Sequence, residues 1–336
     1  MSNKMYKIVH YCIFLGIVYW FAGCVDGDSA QNNVATLKVQ GKVIDGYISN
    51  AIICIDLNNN ELCESKEPTT RSDSSGYYHF NTEIDKQPTY TLLAFDGIDT
   101  ATQENFTGIL KREIDNVNTV NSHITPITTL VSYLYKQDRL ERETQSTQSL
   151  EDAYTVVSTN LGLSTSQVKS NPMEDIAVYS TTQQIMHTIE LFSASYHINA
   201  SNTQEMRNFH AHALNSITQT LSSPNNAQSA IDIVKIATQI EAKPFQGKDM
   251  SASEESIQFA QEYINEVKNV IEKENDTTNL ATIQSDMHKM TKEAMKSMKQ
   301  GEMPTNIKQE LSNYESPKQP STPSITPSQT RDRKST

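Results

Sequence analysis

The hydrophobic period of this chain changes once, near residue 120, and that change calls for two kinds of structure in succession. Before it, Leu37-Lys38-Val39-Gln40 alternates apolar with polar and continues past Gly41 into Val43-Ile44. Ala51 to Ile55 is a short apolar run, and Tyr77 to Phe80 and Tyr90 to Phe95 follow. Turn signals separate these segments: Asp45-Gly46, the Asn58-Asn59-Asn60 cluster, Ser74-Ser75-Gly76 and Asp96-Gly97. Short strands at this spacing predict a small antiparallel β-sandwich over residues 37–118, with a linking stretch that includes Asp99 to Asn121. After it, Ile127, Leu130, Val131 and Leu134 fall at i, i+3, i+4 and i+7 behind Thr125-Pro126, an N-cap followed by proline at the first helical position. Leu150, Ala153, Val157 and Leu161 form a second stripe, closed by Gly162 as a C-cap. Further helices are expected at about 174–198, 203–221, 226–241, 251–274 and 278–299. The expected fold class is α+β in separate domains, the sandwich followed by an α-helical domain over 123–300. A disordered tail is expected over 301–336, where prolines stand among Ser, Thr and charges.

The N-terminus reads as an export signal. Lys4 and Lys7 precede an apolar stretch from Ile8 to Trp20 that is too short to span a bilayer comfortably. Phe21-Ala22-Gly23-Cys24 then resembles the lipobox of bacterial lipoproteins, with Phe21 in place of the usual leucine. The resemblance implies a signal peptide over 1–23, lipidation of Cys24 and a flexible tether over 24–36, so that the protein is anchored to a membrane and does not span it. Val25 stands where an aspartate often marks inner-membrane retention, which favours the outer membrane.

A length of 336 residues at 36% hydrophobic content supports a real core and two domains. A net charge of −12 argues against a nucleic-acid partner, since binding to phosphates needs clustered Lys and Arg. Of the four cysteines, Cys12 leaves with the signal peptide and Cys24 is taken by lipid, so Cys54 and Cys63 remain as a disulfide pair in an oxidising compartment.

Those two cysteines bracket the most informative segment, Cys54 to Pro68. Asp56, Asn58 and Asn60 alternate so that three side-chain oxygens converge, Leu62 offers a backbone carbonyl, Glu64 follows, and Glu67 closes a twelve-residue loop. That is the ligand spacing of an EF-hand-type calcium loop, and hard oxygen donors suit Ca²⁺. Glu61 occupies the position that such loops give to glycine, and a strand, not a helix, precedes the loop.

Gly41 to Tyr47, Ala51 to Pro68 and Asp73 to Tyr78 together resemble a β-sandwich module of bacterial surface proteins, similar to carboxypeptidase-regulatory-like and SdrB-like domains. His123 to Val131 and Asn160 to Leu163 resemble the helical segment that follows it in such lipoproteins. The resemblance covers about residues 40–175 and implies a surface or periplasmic binding role.

Enzyme signatures are weak. His187 and Glu190 form an HxxE pair one helical turn apart, and His210 and His212 are one residue apart. Neither arrangement is the zinc-peptidase pattern of two histidines at i and i+4 around a glutamate. No nucleophile elbow or phosphate-binding glycine loop is present in the sequence. Met287, Met290, Ala294 and Met298 share one helical face and read as core. The expectation is a non-enzymatic binding or adhesion lipoprotein of the envelope, with a surface ligand or envelope protein as partner and no nucleic acid. An accessory of an envelope enzyme or transport system is the alternative.

Overall fold

Nine strands occupy the N-terminal part of the chain and nine helices follow, in a computed structural model that describes residues 34–115, 118–141, 149–222 and 231–317. The expected signal peptide, Cys24, the expected tether up to residue 33 and residues 318–336 of the expected tail lie outside the described residues. The fold is α+β, with strands N-terminal and helices C-terminal. The chain divides into two compact units, one of residues 37–82 with 87–336 and one of residues 1–36 with 83–86. Of the smaller unit, the described parts are the start of one strand and the end of another.

The strands are β1 (Val34–Lys42), β2 (Ile48–Ser49), β3 (Ile52–Asp56), β4 (Thr69–Arg71), β5 (Tyr77–Asp85), β6 (Tyr90–Phe95), β7 (Ile98–Asp99), β8 (Ile109–Ile114) and β9 (Asn118–Thr119). They form sheets ordered β5-β1-β9, β2-β7 and β4-β3-β6-β8. β1 takes in the last three residues of the expected tether, and further along it buries Leu37 and Val39 while exposing Lys38 and Gln40, as alternation requires. The four-stranded sheet is antiparallel throughout, whereas β1 and β9 run parallel.

β8 was not legible as a strand. Its sequence, Ile-Leu-Lys-Arg-Glu-Ile, breaks the apolar pattern with three charges and so reads as part of a link, yet all six residues are buried. Its pairing with β6 sets Lys111 opposite Leu93, which is itself opposite Cys54. The other edge of β8 is covered where the first helix begins. The Lys111 N–H donates to Thr129 Oγ1 at 2.8 Å, and the Thr128 hydroxyl donates to the Lys111 carbonyl at 2.9 Å. An edge strand capped in this way offers no free ladder to another chain.

The helices are α1 (Pro126–Glu141), α2 (Leu150–Leu161), α3 (Thr165–Lys169), α4 (Ile176–Ser195), α5 (Thr203–Ser222), α6 (Ile233–Glu241), α7 (Glu254–Glu272), α8 (Leu280–Lys299) and α9 (Thr305–Ser312). The expected stripes are the buried ones: Ile127, Leu130, Val131 and Leu134 on α1, and Leu150, Ala153, Val157 and Leu161 on α2. Gly162 ends α2 in the left-handed region at φ 69°, which costs glycine nothing. On α8, Met287, Ala294 and Met298 are buried and Met290 is half-buried, so the methionine stripe packs the core. α4 is buried nearly all round and packs on α7 and α8. It carries many hydroxyls there because they bond back to its own carbonyls, as Thr182 does to Val178 and Thr188 to Gln184.

The expected tail needs one correction. Residues 305–312 form α9, with Ile307 and Leu311 buried, because two apolar residues four apart place one face of a short helix against its neighbours α7 and α8. Among the described residues, no helix is long and apolar enough to cross a membrane.

Candidate functional site

The twelve-residue loop leaves β3 at Asp56 and returns to β4 after Glu67. Its shape is set by side chains accepting from its own backbone. The Asp56 carboxylate accepts from the N–H groups of Asn60 and Glu61 at 3.2 and 3.0 Å. Asn58 Oδ1 accepts from Asn60 N–H at 3.0 Å, and Asn60 Oδ1 from Leu62 N–H at 2.9 Å. Both asparagine amides donate to the Glu64 carboxylate at 3.0 Å. The buried Glu67 carboxylate accepts from Leu57 N–H at 2.8 Å and from Glu64 N–H at 3.0 Å, which closes the loop.

Two features answer the departures seen in the sequence. Glu61 adopts φ 62°, so it makes the left-handed turn that the usual glycine would make. The strain is offset by its side chain, since the carboxylate pairs at 2.6 Å with Lys111 Nζ. Lys111 is fully buried, lies 4.0 Å over the Tyr133 ring and faces Glu113 and Asp56 as well. Burial pushes its ammonium down, and Glu61 works against that shift. Cys54 and Cys63 form the expected disulfide, packed against Leu93, Ile109 and Ala211.

The structure therefore brings Asp56, Asn58, Asn60, Glu64 and Glu67 into one loop, while the Leu62 side chain is 60% exposed. Their oxygens are the hard donors that calcium takes, and each engaged oxygen keeps a second lone pair. They are already satisfied by amide hydrogens, so an ion would compete with an intact hydrogen-bond network. Among the described residues, no three His, Cys, Asp or Glu side chains stand together as a metal cluster.

Beside the loop opens a cleft of about 1150 Å³. Asn59 and Glu61 of the loop line one side, Tyr133, Tyr135 and Lys136 of α1 another, and Asn215 of α5 and Gln239 of α6 also face it. The Tyr133 hydroxyl and Lys136 Nζ are shielded from solvent and make no hydrogen bond. At the back, the buried Glu113 accepts from Ser132 at 2.7 Å and from Thr91 at 3.0 Å, with Lys136 at 3.9 Å. Burial raises the Glu113 carboxyl, and Lys136 opposes the shift. Only the pairing of β6 with β8 aligns Lys111 and Glu113 toward the loop. The sole hint in the sequence was a charged triplet flanked by Ile109-Leu110 and Ile114.

Of the histidines singled out in the sequence, His187 and His210 are buried and His212 is half-buried. His187 Nδ1 lies 2.9 Å from Glu190 Oε2, and Glu190 Oε1 lies 3.3 Å from His288 Nδ1. His288 Nε2 reaches Glu104 at 3.2 Å, and Lys292 pairs with the same carboxylate. Burial opposes charge on both Glu190 and His288, but hydrogen bonds outweigh it: those from His187 and His288 hold the Glu190 carboxyl well below its usual range, and Glu190 with Glu104 raises the His288 imidazole to about 9. His210 is buried against Phe106, and burial lowers it to about 4. His212 lines the cleft and lies 3.2 Å from the Ile240 carbonyl.

No family model, no curated protein and no solved structure matches this chain.

Proposed function

We propose that the chain is an exported, non-enzymatic binding or adhesion protein of the cell envelope, lipid-anchored through Cys24, with the outer membrane as its site. The observation that carries the reading is the cleft of about 1150 Å³ beside a disulfide-pinned loop, lined by amides and tyrosines that both donate and accept hydrogen bonds. In this reading the strands are an antiparallel β-sandwich module and the helices a second domain. The ordering of strands before residue 120 and helices after 125 supports it. The ligand is a surface glycan or an envelope protein. Nucleic acid is not a partner, consistent with the charge of −12.

The anchored protein displayed on cells is expected to bind glycan-coated or cell surfaces saturably, and Asn215→Trp, which fills the cleft, is expected to remove that binding. Binding equal to that of cells without the protein, or binding indifferent to Asn215→Trp, overturns the reading. Recovery of one envelope complex by wild type but not by the Trp variant assigns the cleft to a protein ligand. Loss of palmitate labelling in Cys24→Ser tests the anchor, and unchanged labelling sinks it.

Calcium belongs to the same proposal. Few carboxylates and a satisfied loop place the affinity near 1 mM, where 10 mM Ca²⁺ adds about 1.4 kcal/mol and raises the melting temperature by a few degrees. The increment is expected to vanish in Asp56→Ala combined with Glu67→Ala. Identical wild-type melting in calcium and in chelator removes the ion from the proposal.

A further inference from the structure

Away from the cleft, the loop after β1, the segment after β7 and one face each of α4, α5 and α8 enclose a second cavity of about 290 Å³. Four carboxylates line it, Asp45, Asp99, Glu104 and Glu190, together with three histidines, His187, His210 and His288, and with Lys292. Phe106, Met186, Met206 and Met295 supply the apolar part of the wall. At about 30 Å³ per water, the space holds either some ten waters or one small molecule.

Three polar atoms of its lining are buried with no hydrogen-bond partner: His187 Nε2, His210 Nε2 and Gln284 Oε1, on residues 2%, 5% and 4% exposed. Such atoms are rare in folded proteins and each calls for a partner. Their neighbours fix what each one wants. At His187 Nδ1 the Glu190 carboxylate, 2.9 Å away, can only accept, and the Thr291 hydroxyl lies 3.0 Å away. His187 Nδ1 therefore carries hydrogen toward Glu190, and in that tautomer Nε2 is a bare acceptor. Gln284 donates its Nε2 to the Asp45 carbonyl and to Asp99 Oδ2, so Oε1 is the free acceptor. His210 Nδ1 accepts from Ile109 N–H at 3.5 Å, so its Nε2 carries hydrogen and donates. Gly108 leaves that nitrogen room, since a Cβ there would lie 2.7 Å from it. Asp45 adds a carboxyl that burial, with Asp99 and Glu190 nearby, pushes well above its ordinary value.

We propose that this cavity binds a small organic cation, a primary ammonium on a short apolar chain that also bears one hydroxyl or carbonyl oxygen. The ammonium presents three donors to an acceptor set of Asp45, Gln284 Oε1 and His187 Nε2. The oxygen accepts from His210, and the methylenes lie on Phe106 and the methionines. The inference does not depend on the cleft or on calcium.

The test is calorimetry and thermal shift on the full chain with three probes of matched length: 4-aminobutan-1-ol, butane-1,4-diol and 4-hydroxybutyrate. The amino alcohol is expected to bind saturably and at least tenfold more tightly than the diol, with no binding of the carboxylate. Asp45→Asn, which keeps the volume, is expected to reduce that affinity at least tenfold, and Met206→Trp to abolish it. Circular dichroism of each variant distinguishes lost binding from lost folding. Equal affinity for the diol, no saturation by the amino alcohol at 20 mM, or unchanged affinity in folded Asp45→Asn overturns the proposal, and the cavity then holds water.

Discussion

Replacing Glu190 by alanine is expected to lower the folding free energy by about 3 kcal/mol and the melting temperature by roughly 6 to 12 °C, because one carboxylate holds two interior imidazoles. Glu190 meets His187 at 2.9 Å and His288 at 3.3 Å. Its loss leaves both without their carboxylate, and His288 keeps only Glu104. The expected pH dependence follows from His288, which lies at about 9 in the fold against an ordinary 6.5. A group raised on folding contributes its full stability below 6.5 and loses it as pH rises through about 9. Wild type should therefore soften to urea between pH 7 and pH 9.5. Glu190→Gln, which removes the charge at constant shape, should soften much less over the same range. Parallel urea midpoints for the two proteins across that window would refute the assignment. The Glu190–His288 contact enters both the raised imidazole and the lowered carboxyl, so its stabilisation counts once.

Lys111→Ala is expected to cost about 3 to 5 kcal/mol, read as a shift in denaturant midpoint, since it leaves buried Glu113 and Asp56 without their common cation and opens a void beneath the loop. Lys111→Met keeps the stem volume and is expected to recover the part of that loss due to the void, while Glu113 and Asp56 stay without their cation. An alanine variant within 1 kcal/mol of wild type would show that Lys111 is not the internal cation of this region. The contrast also bears on calcium. The Lys111 side chain already faces Asp56 at the base of the loop, and that accords with a weak calcium response.

The local features were legible because their causes are local. The Thr125-Pro126 start, the Gly162 cap, the stripe on α8 and the ladder from Asp56 to Glu67 all follow from residues within one turn or one loop. The disulfide followed from elimination among four cysteines. α9 was missed because an eight-residue helix with two apolar positions has no periodicity to detect and exists by packing on α7 and α8. β8 was missed because its charges are paired by partners far along the chain. Glu61 lies 50 residues before Lys111, and Arg112 finds the His123 carbonyl across a turn of chain.

By itself the sequence determined where the backbone alternates and where it winds, which oxygens gather in the loop, and which cysteines bond, since each depends on spacing within a short segment. Only the tertiary structure decided that a charged triplet is an interior strand, that Glu61 answers a buried lysine, and that His187, Glu190, His288 and Glu104 meet in one cluster. Those pairings join residues up to 184 positions apart. They form because burying a charge is costly unless an opposite charge or a hydrogen-bond partner arrives with it, and only the folded chain brings those partners together.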